Sequence, residues 1–338
     1  MPELLGVDSV IEHLVLRGVL TEVEARSPEI TVAELSGGVS SVVIAVHTPT
    51  QALIVKQSLP KLRVAEEWLA PTDRILSEAA MLEMTAALTP GRVPEVLDID
   101  PGRRVLVIAH APATWVEWKS LLMAGDVHVP TAARLGEVLA RWHVRTKDPA
   151  TVAPILRDQS AAFESLRIAP YYRTTAERLP DLADAIMQTA DRMAATRLCL
   201  VHGDFSPKNI LTAPGATSDG SFWVIDHEVA HVGDPSFDVA FLLSHLTMKA
   251  VHLPDSAALL EQAAAAFVEE YRGGASGTLD LDAAHLNRQL GCLLLARVHG
   301  KSPATYLTAA DREVVERLGR AALLGERDLI PSSTKAGA

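Results

Sequence analysis

Cysteine is scarce in this chain, with two residues among 338. Cys199 and Cys292 both lie in apolar surroundings, where a thiol packs as a small hydrophobic side chain. A secreted fold built on disulfide bonds needs several cysteine pairs, so this class of protein is not expected. We therefore expect a fold held by a hydrophobic core, which an apolar content of 48% can supply.

Long apolar runs and an excess of basic charge are also lacking. No apolar run approaches about 18 residues, the length typical of a membrane-spanning helix. The first residues lack the basic-then-apolar pattern of a signal peptide. Lys and Arg total 31 against 42 Asp and Glu, and the net charge of −11 disfavours binding to nucleic acid. The sequence thus predicts a cytoplasmic protein that binds neither nucleic acid nor membranes.

Residue patterns divide the chain into two parts and predict an α+β fold. One inserted helix, which Asp73 would cap, interrupts an antiparallel sheet. The predicted strands cover 30–35, 41–47, 52–56, 93–99 and 104–108. Predicted helices then dominate, at 115–122, 131–145, 181–194, 237–248, 256–271, 283–298 and 310–324. We predict a boundary near residue 111, between an N-terminal lobe at 1–111 and a helical lobe at 112–338.

The most informative stretch runs from His202 through Asp204 to Asn209, between two short apolar strands. Asp226 and Glu228 follow the second of these strands. An Asp, an Asn five positions later and a carboxylate pair after an apolar run are typical of phosphoryl transfer. In this layout Asp204 orients or deprotonates a hydroxyl, while Asn209, Asp226 and Glu228 offer the oxygen ligands that Mg²⁺ prefers. If strand geometry persists, the last two side chains point to the same side.

Other interpretations of this stretch stay open. His202 at a strand end is typical of a structural hydrogen bond rather than of a catalytic base. Asp226 and Glu228 could form an exposed acidic turn. A metal-dependent hydrolase site is a further alternative, although its typical His-Asp dipeptide is reversed here. That site would combine His202, Asp204, Asp226, His227 and His231.

A second group of candidates lies in the N-terminal part. Gly37, Gly38 and Ser40 form a turn between two strands, where backbone N–H groups could approach phosphates or a plain hairpin turn could form. Lys56 ends the third strand, and Glu78 lies on the inserted helix. A Lys–Glu pair of this kind holds the phosphates of ATP, whereas either residue alone could be a solvated charge. The order of these motifs along the chain favours nucleotide binding.

Some polar and aromatic residues are predicted to be structural. Asp234 and Asp238 stand at a helix start, where a carboxylate can cap the helix or brace the neighbouring loop. Trp115, Trp118 and Trp142 fall within predicted helices, which predicts that their side chains pack in the core. None of these five residues is expected to react.

Three motifs together resemble the aminoglycoside phosphotransferase and choline kinase superfamily. They are His202-Gly203-Asp204 through Asn209, Ile225-Asp226-His227-Glu228, and Gly233-Asp234-Pro235 through Asp238. The resemblance implies a two-lobed protein-kinase-like fold that uses ATP and Mg²⁺. It implies that Lys56 holds phosphates, that Glu78 orients Lys56, and that adenine lies against the segment containing Ala109 and Ala111. Stretches 54–60 and 73–79 also resemble the N-lobe of 5-methylthioribose kinases.

The substrate is less defined by the sequence. Methylthioribose kinases carry paired arginines late in the C-lobe, whereas here Arg297 follows an alanine and is a single candidate. Tyr172 and Arg173, in a stretch without periodicity, are further candidates for substrate contact. The resemblance implies a kinase for a small hydroxylated molecule, such as a methylthioribose-like sugar. An aminoglycoside or choline-like amino-alcohol kinase and a catalytically silent nucleotide-binding module are the alternatives, and a homodimer stays open.

Overall fold

An antiparallel sheet forms the N-terminal lobe. The computed structural model describes residues 4–35, 40–61, 71–157, 159–214 and 221–332. The elements of this lobe are α1 (Val10–Leu16), α2 (Glu22–Ala25), β1 (Thr31–Glu34), β2 (Ser41–His47), β3 (Ala52–Ser58), α3 (Arg74–Leu88), β4 (Val96–Asp100) and β5 (Val105–Ala109). Within the described residues, the sheet has five strands in the order β1-β2-β3-β5-β4, and every neighbouring pair is antiparallel.

Alternation along the strands gives this sheet two packed faces. Val55 and Val107 belong to an apolar cluster with α1. Leu106 and Ile108 instead join the larger core that includes α3. Because successive strand residues point to opposite faces, Lys56 of β3 lies on the side of α3 and the rest of the molecule.

The remainder of the chain is mainly helical, with short strands between the helices. Its strands are β6 (Val116–Glu117), β7 (Cys199–Val201), β8 (Ile210–Thr212), β9 (Phe222–Val224) and β10 (His231–Gly233). Its helices are α4 (Trp118–Met123), α5 (Val129–Arg145), α6 (Pro154–Arg157), α7 (Ser160–Phe163), α8 (Thr174–Arg178), α9 (Ala183–Ala195), α10 (Pro235–His252), α11 (Ala257–Ala275), α12 (Ala283–His299) and α13 (Ala309–Leu323). Segment Glu164–Arg173 has π-helical hydrogen bonds.

Helix α10 is the central element of this lobe, because it is buried on nearly every side. The carboxylate of Asp234 caps it by accepting the Ser236 backbone N–H at 2.9 Å, and Pro235 occupies the first helical position. Helices α5 and α11 pack against each other, and α12 lies between α10 and α13. The short strands β7 and β10 pair with each other, and β8 lies between β6 and β9.

The α+β class and the two-lobed arrangement are confirmed, with local corrections. The helix predicted from residue 73 begins at Arg74, but Asp73 does not cap it and pairs with Arg104 instead. A helical pattern spans residues 10–20 of the sequence, but the first helix ends earlier, at Leu16. The helix predicted at 115–122 begins as strand β6, and the stretch around Tyr172 is helical with π-type bonds. Local periodicity does not report such departures from regular geometry.

Both cysteines are buried and unbonded, as predicted. Within the described part of the chain, no helix combines the length and apolarity needed to cross a membrane. Strand β5 ends at Ala109 and β6 begins at Val116. The lobe boundary near residue 111 stays a prediction.

The contact between α5 and α11 yields a test of the packing. A Cβ atom on Gly136 of α5 would overlap the Phe267 carbonyl oxygen and approach the Tyr271 backbone nitrogen at 3.0 Å. We expect Gly136→Ala to lower the free energy of unfolding by about 2–3 kcal/mol, because two helix backbones would have to separate. Denaturant titration measures this change.

Gly273 of α11 is the matched control, since it is also helical but exposed, and a Cβ there meets nothing within 4 Å. Gly273→Ala should raise the free energy of unfolding by up to ~1 kcal/mol through helix propensity alone. Equal effects of the two substitutions would show that α5 and α11 do not pack this closely.

Candidate active site

A cavity of about 690 Å³ lies between the N-terminal sheet and the helical lobe. Strands β2, β3 and β5 and helix α3 form one side of it, and the loops that follow β7 and β9 form the other. Predicted site residues that line it are Ser40, Lys56, Glu78, Ala109, Ala111, Asp204, Asn209, Asp226 and Glu228. Residues separated by up to 188 positions in the chain therefore meet around one space.

Lys56 links three segments at the centre of the cavity. Its Nζ lies 2.5 Å from Glu78 Oε1 on α3 and 3.1 Å from Asp226 Oδ1 in the loop after β9. The predicted Lys56–Glu78 pair is thus formed, and Asp226 is a second partner that the sequence did not indicate.

The charges of this triad follow from burial and from the pairing. Burial works to lower the pKa of Lys56, but the carboxylates of Glu78 and Asp226 outweigh it and raise that pKa. Burial raises the pKa of Glu78, whose Oε2 has no hydrogen-bond partner among the described residues. For Asp226, the ammonium groups of Lys56 and Lys208 outweigh burial and lower the pKa. At neutral pH, Lys56 is therefore cationic and Asp226 anionic.

Asp204 follows β7 and is held by an arginine that the sequence analysis missed. Arg167 Nη2 lies 3.0 Å from Asp204 Oδ2, and Arg167 Nε donates to the Gly203 carbonyl oxygen at 2.7 Å. Arg167 is 8% exposed and comes from the π-helical segment. Two contacts from one planar guanidinium fix both the loop backbone and the carboxylate. No local motif marks Arg167, because its partner lies 37 positions away.

The loop that carries Asp204 is braced from α10. Asp238 accepts the backbone N–H groups of His202 at 2.7 Å and Gly203 at 2.8 Å, and His143 Nε2 lies 3.2 Å from it. His202 Nδ1 accepts the Asp204 backbone N–H at 3.1 Å, so its Nε2 donates to the Ile225 carbonyl oxygen. These contacts agree with the structural roles predicted for Asp238 and His202.

Gly203 is needed for the shape of this loop. Its φ of +78° lies in the left-handed region, and a Cβ there would lie 2.8 Å from the Val229 carbonyl oxygen. The turn thereby places Asp204 at the cavity directly after the buried strand β7.

The loop after β9 departs from the strand geometry that we expected. Strand β9 ends at Val224, and Asp226 adopts a φ of +67°. Glu228 also borders the cavity, but its Oε2 lies 3.0 Å from Nε of the fully buried Arg74. Arg74 also donates to the carbonyl oxygens of Ser40 and Leu59. The two carboxylates thus face different cations, although both border the same cavity, and the strand geometry assumed for them ends at Val224.

The described residues contain no group of three or more His, Cys, Asp or Glu side chains that could hold a metal ion by themselves. Asn209 Nδ2 donates to the Asp204 carbonyl oxygen at 3.0 Å, which leaves its amide oxygen for a cation. The neighbouring Asp226 supplies a charged oxygen. This donor set fits a hard cation such as Mg²⁺, which usually takes few protein ligands and completes its shell with phosphate oxygens and water.

The remaining predicted residues are placed differently. Gly37 and Gly38 lie outside the described residues. Tyr172 is 1% exposed, and its hydroxyl donates to Gln289 Oε1 in the helical core, so the structure does not bring it to the cavity. Arg173 is exposed and pairs with Glu164 at 2.7 Å.

Positions near these residues do border the cavity. Tyr171, next to Tyr172, lines it. Arg297 Nη1 donates to the Tyr171 hydroxyl at 3.3 Å and to Ser302 Oγ at 3.1 Å, and Ser302 is also a lining residue. Arg297 is therefore separated from the cavity by a single layer of side chains.

Two tryptophans were missed as lining residues. Trp115 and Trp223 both border the cavity, with ring centroids 5.7 Å apart in an edge-to-face arrangement. The core position predicted for Trp115 is wrong, because the chain is not yet helical there. Trp118 and Trp142 are buried in the core as predicted.

Comparison with known proteins agrees with this architecture. Residues 31–276 match the model of the phosphotransferase enzyme family. Methylthioribose kinase 2 of Oryza sativa subsp. japonica is 24% identical over 250 residues, which cover 66% of this chain and 57% of that protein. The chain thus spans little more than half the length of this curated relative.

Solved structures share the fold. A choline/ethanolamine kinase family protein from Mesorhizobium loti is 16% identical, covers 94% of both chains and has a TM-score of 0.55. An amicoumacin kinase in complex with AMP-PNP and Ca²⁺ is 14% identical, with a TM-score of 0.54, and covers 92% of this chain and 93% of its own. The superfamily resemblance inferred from the motifs is confirmed. With a family match over most of its length and this two-lobed fold, the chain belongs to the phosphotransferase enzyme family.

Proposed function

We propose that this protein transfers the γ-phosphoryl group of ATP to a hydroxyl group of a small molecule. The observation that supports this most strongly is the meeting of Lys56, Asp204, Asn209 and Asp226 around one cavity. These residues supply a cation for phosphates, a carboxylate for a hydroxyl, and oxygen ligands for a metal ion. Phosphoryl transfer needs these three functions, because positioning and charge neutralisation provide most of its catalysis.

The nucleotide would occupy the side of the cavity nearest the sheet. Lys56 would bind its phosphates, and the contact with Glu78 would keep the ammonium in place. Ser40 borders the same space at the start of β2, and the chain at Ala109 and Ala111 offers an edge for the adenine. The lining here is partly apolar, which suits a planar base above a charged phosphate chain.

Asp204 would act on the acceptor from the opposite side. Its carboxylate would orient the hydroxyl and take its proton as the hydroxyl oxygen bonds to the γ-phosphorus and the bond to the ADP oxygen breaks. Arg167 would serve as a positioning residue, because it holds Asp204 Oδ2 and the backbone of the same loop.

Asn209 and Asp226 would hold Mg²⁺, with Glu228 assisting. When bound, the ion neutralises phosphate charge and fixes the phosphate chain. Asp226 now contacts Lys56 at 3.1 Å, so the lysine and a cation would share this carboxylate. Glu228 is committed to Arg74, and we expect its contribution to be the smaller one.

A sugar such as a methylthioribose-like pentose is our first candidate for the acceptor, since the curated relatives are named methylthioribose kinases. A choline-like amino-alcohol or an aminoglycoside is the second, given the names of the proteins that share the fold. A catalytically silent nucleotide-binding module is the alternative from another class. ADP release measured with and without a panel of alcohols distinguishes a kinase from such a module.

The role of Asp204 is tested by Asp204→Asn. We expect kcat to fall by roughly 10²–10⁴-fold, because the amide cannot accept the proton of the hydroxyl. Affinity for Mg²⁺–ATP, measured by calorimetry, should change little. The matched control is Asp181→Asn, which removes an arginine-paired carboxylate from an exposed position and should leave kcat unchanged. Near-normal turnover by a folded Asp204→Asn variant would contradict the assignment.

The metal site is tested by melting curves with Mg²⁺–ATP and with ATP plus chelator. A ligand that binds only the native state raises its stability by mass action. Asp226→Ala should abolish the Mg²⁺-dependent rise in Tm and eliminate turnover, whereas Glu228→Ala should reduce both less completely.

Asp255→Ala, at an exposed position, is the control and should keep the full rise. Since Glu228→Ala also leaves the buried Arg74 without this carboxylate, its Tm without ligand should fall, and only the ligand-dependent increments are compared. If Asp226→Ala retains the Mg²⁺-dependent increment and activity, the metal ion binds elsewhere.

A further inference from the structure

Lys208 is a cavity-lining cation to which the proposed mechanism gives no role. It borders the same space as Lys56 and Arg167, and its side chain is accessible to water there. Lys56 is paired with Glu78, and Arg167 is paired with Asp204. Within the described part of the chain, Lys208 forms neither an ion pair nor a hydrogen bond. Its ammonium group is therefore available to a ligand that enters the cavity.

The backbone that carries Lys208 is fixed on both sides. Lys208 lies in a single 3₁₀ turn, Pro207–Asn209, in which its two neighbours are buried. Asn209 donates its backbone N–H to the Ser206 carbonyl oxygen at 2.9 Å, and its own carbonyl oxygen accepts the Ile225 N–H at 2.9 Å. A rigid turn thus carries a side chain whose end is free, so binding a ligand there does not require the backbone to become ordered.

The charges that act on Lys208 show which part of the cavity it faces. Burial works to lower the pKa of Lys208, but the carboxylates of Asp226 and then Asp204 outweigh it and raise that pKa. Asp226 is the carboxylate proposed for the metal ion, and Asp204 is the one proposed for the acceptor hydroxyl. Lys208 therefore lies within electrostatic reach of both ends of the proposed transfer, although it is bonded to neither carboxylate.

The proposed transfer requires a cation near Asp204. The γ-phosphoryl group carries negative charge on three equatorial oxygens, and the Asp204 carboxylate repels this charge as the acceptor hydroxyl comes within reach. Arg167 is already paired with that carboxylate at 3.0 Å. Lys301 also borders the cavity, but it lies in the loop after α12, next to Ser302. Of the lining cations that the structure describes, Lys208 combines proximity to Asp204 with a free ammonium group.

We propose that Lys208 is a catalytic residue whose ammonium group contacts the γ-phosphoryl oxygens of the nucleotide as this group passes to the acceptor. The proposal rests on the proposed kinase function and adds a residue to the same site. The hydroxyl oxygen bonds to the γ-phosphorus, the bond to the ADP oxygen breaks and leaves its electron pair on ADP, and the hydroxyl proton moves to Asp204. Lys208 keeps its own proton throughout and neutralises charge on the oxygens in transit.

Nucleotide binding tests this contact without any acceptor, because AMP-PNP has a γ-phosphoryl group and ADP lacks one. Lys208→Met removes the ammonium and keeps an unbranched side chain. Calorimetry should show that the ratio of Mg²⁺–AMP-PNP to Mg²⁺–ADP affinity falls roughly 10-fold, the lower end of the usual worth of a charged hydrogen bond. The Kd for Mg²⁺–ADP should change little, since its phosphates are held by other residues.

Turnover separates a contact with the phosphoryl group from a contact with the acceptor. In Lys208→Met, kcat should fall by roughly 10²–10³-fold while KM for the acceptor changes little, as for the loss of one group that stabilises transition-state charge. Lys208→Arg returns a cation to the same position and should recover part of kcat and of the AMP-PNP preference. Lys147→Met is the control, because Lys147 is exposed and bonds the Thr278 carbonyl oxygen, and it should match the wild type in both measurements.

The outcomes that overturn the proposal are distinct from those that overturn the kinase. If the wild type binds neither nucleotide, the proposed kinase function fails, and the role of Lys208 fails with it. If the wild type binds and turns over ATP while Lys208→Met keeps its kcat, the kinase stands and Lys208 is not catalytic. A raised acceptor KM with kcat and nucleotide preference intact would instead place Lys208 at the acceptor and overturn the contact with the phosphoryl group.

One remaining pattern is decided by the arginine variant. If Lys208→Met lowers kcat but leaves the nucleotide preference unchanged, recovery of kcat by Lys208→Arg supports a contact that forms in the transition state. Failure of Lys208→Arg to recover kcat would show that the substitution disturbs the catalytic loop, and the proposal would be overturned. Because Lys208 has no bonded partner among the described residues, we expect both variants to keep the fold, which melting curves without ligand measure.

Discussion

The contact of Lys56 with Glu78 and Asp226 is the interaction on which the arrangement of the site depends. It joins a sheet strand, the inserted helix and a loop of the helical lobe through one ammonium group. Burying any one of these charged groups alone would raise the free energy of the folded state. The opposite charges of its partners compensate this desolvation cost. The cavity therefore lies where charges from both lobes meet, and Glu78 at its polar centre is almost completely buried.

The helical lobe holds its own polar groups by a different means. Asp238 binds two consecutive backbone N–H groups of the loop that carries Asp204, and Arg167 binds that loop from the other side. Both contacts come from rigid, buried elements, so the position of Asp204 is set by packing rather than by the loop itself.

Much of this could be predicted from the sequence, and the exceptions have physical causes. The strands of the sheet followed from residue patterns, and the Lys56–Glu78 pair was expected from the order of kinase-like motifs. The spacing from His202 to Asn209 predicted a phosphoryl-transfer site. Arg167 could not be found in this way, because its pairing with Asp204 depends on a π-helical segment and on long-range folding. The turn at Asp226 was missed because a left-handed residue other than glycine leaves no mark in a hydrophobic pattern.

That left-handed turn at Asp226 has an energetic consequence. An L-amino acid with a side chain at a φ of +67° raises the energy of the folded state by about 1 kcal/mol relative to glycine, although aspartate tolerates it better than most. Backbone strain alone would favour glycine at this position, but glycine would also remove a carboxylate that compensates Lys56. The chain instead keeps a carboxylate that can face a cation. The strained backbone at this residue therefore lowers the free energy of unfolding. At position 226, relief of backbone strain and the proposed catalytic activity therefore favour different residues, so the variant with the least strained turn would not be the most active one.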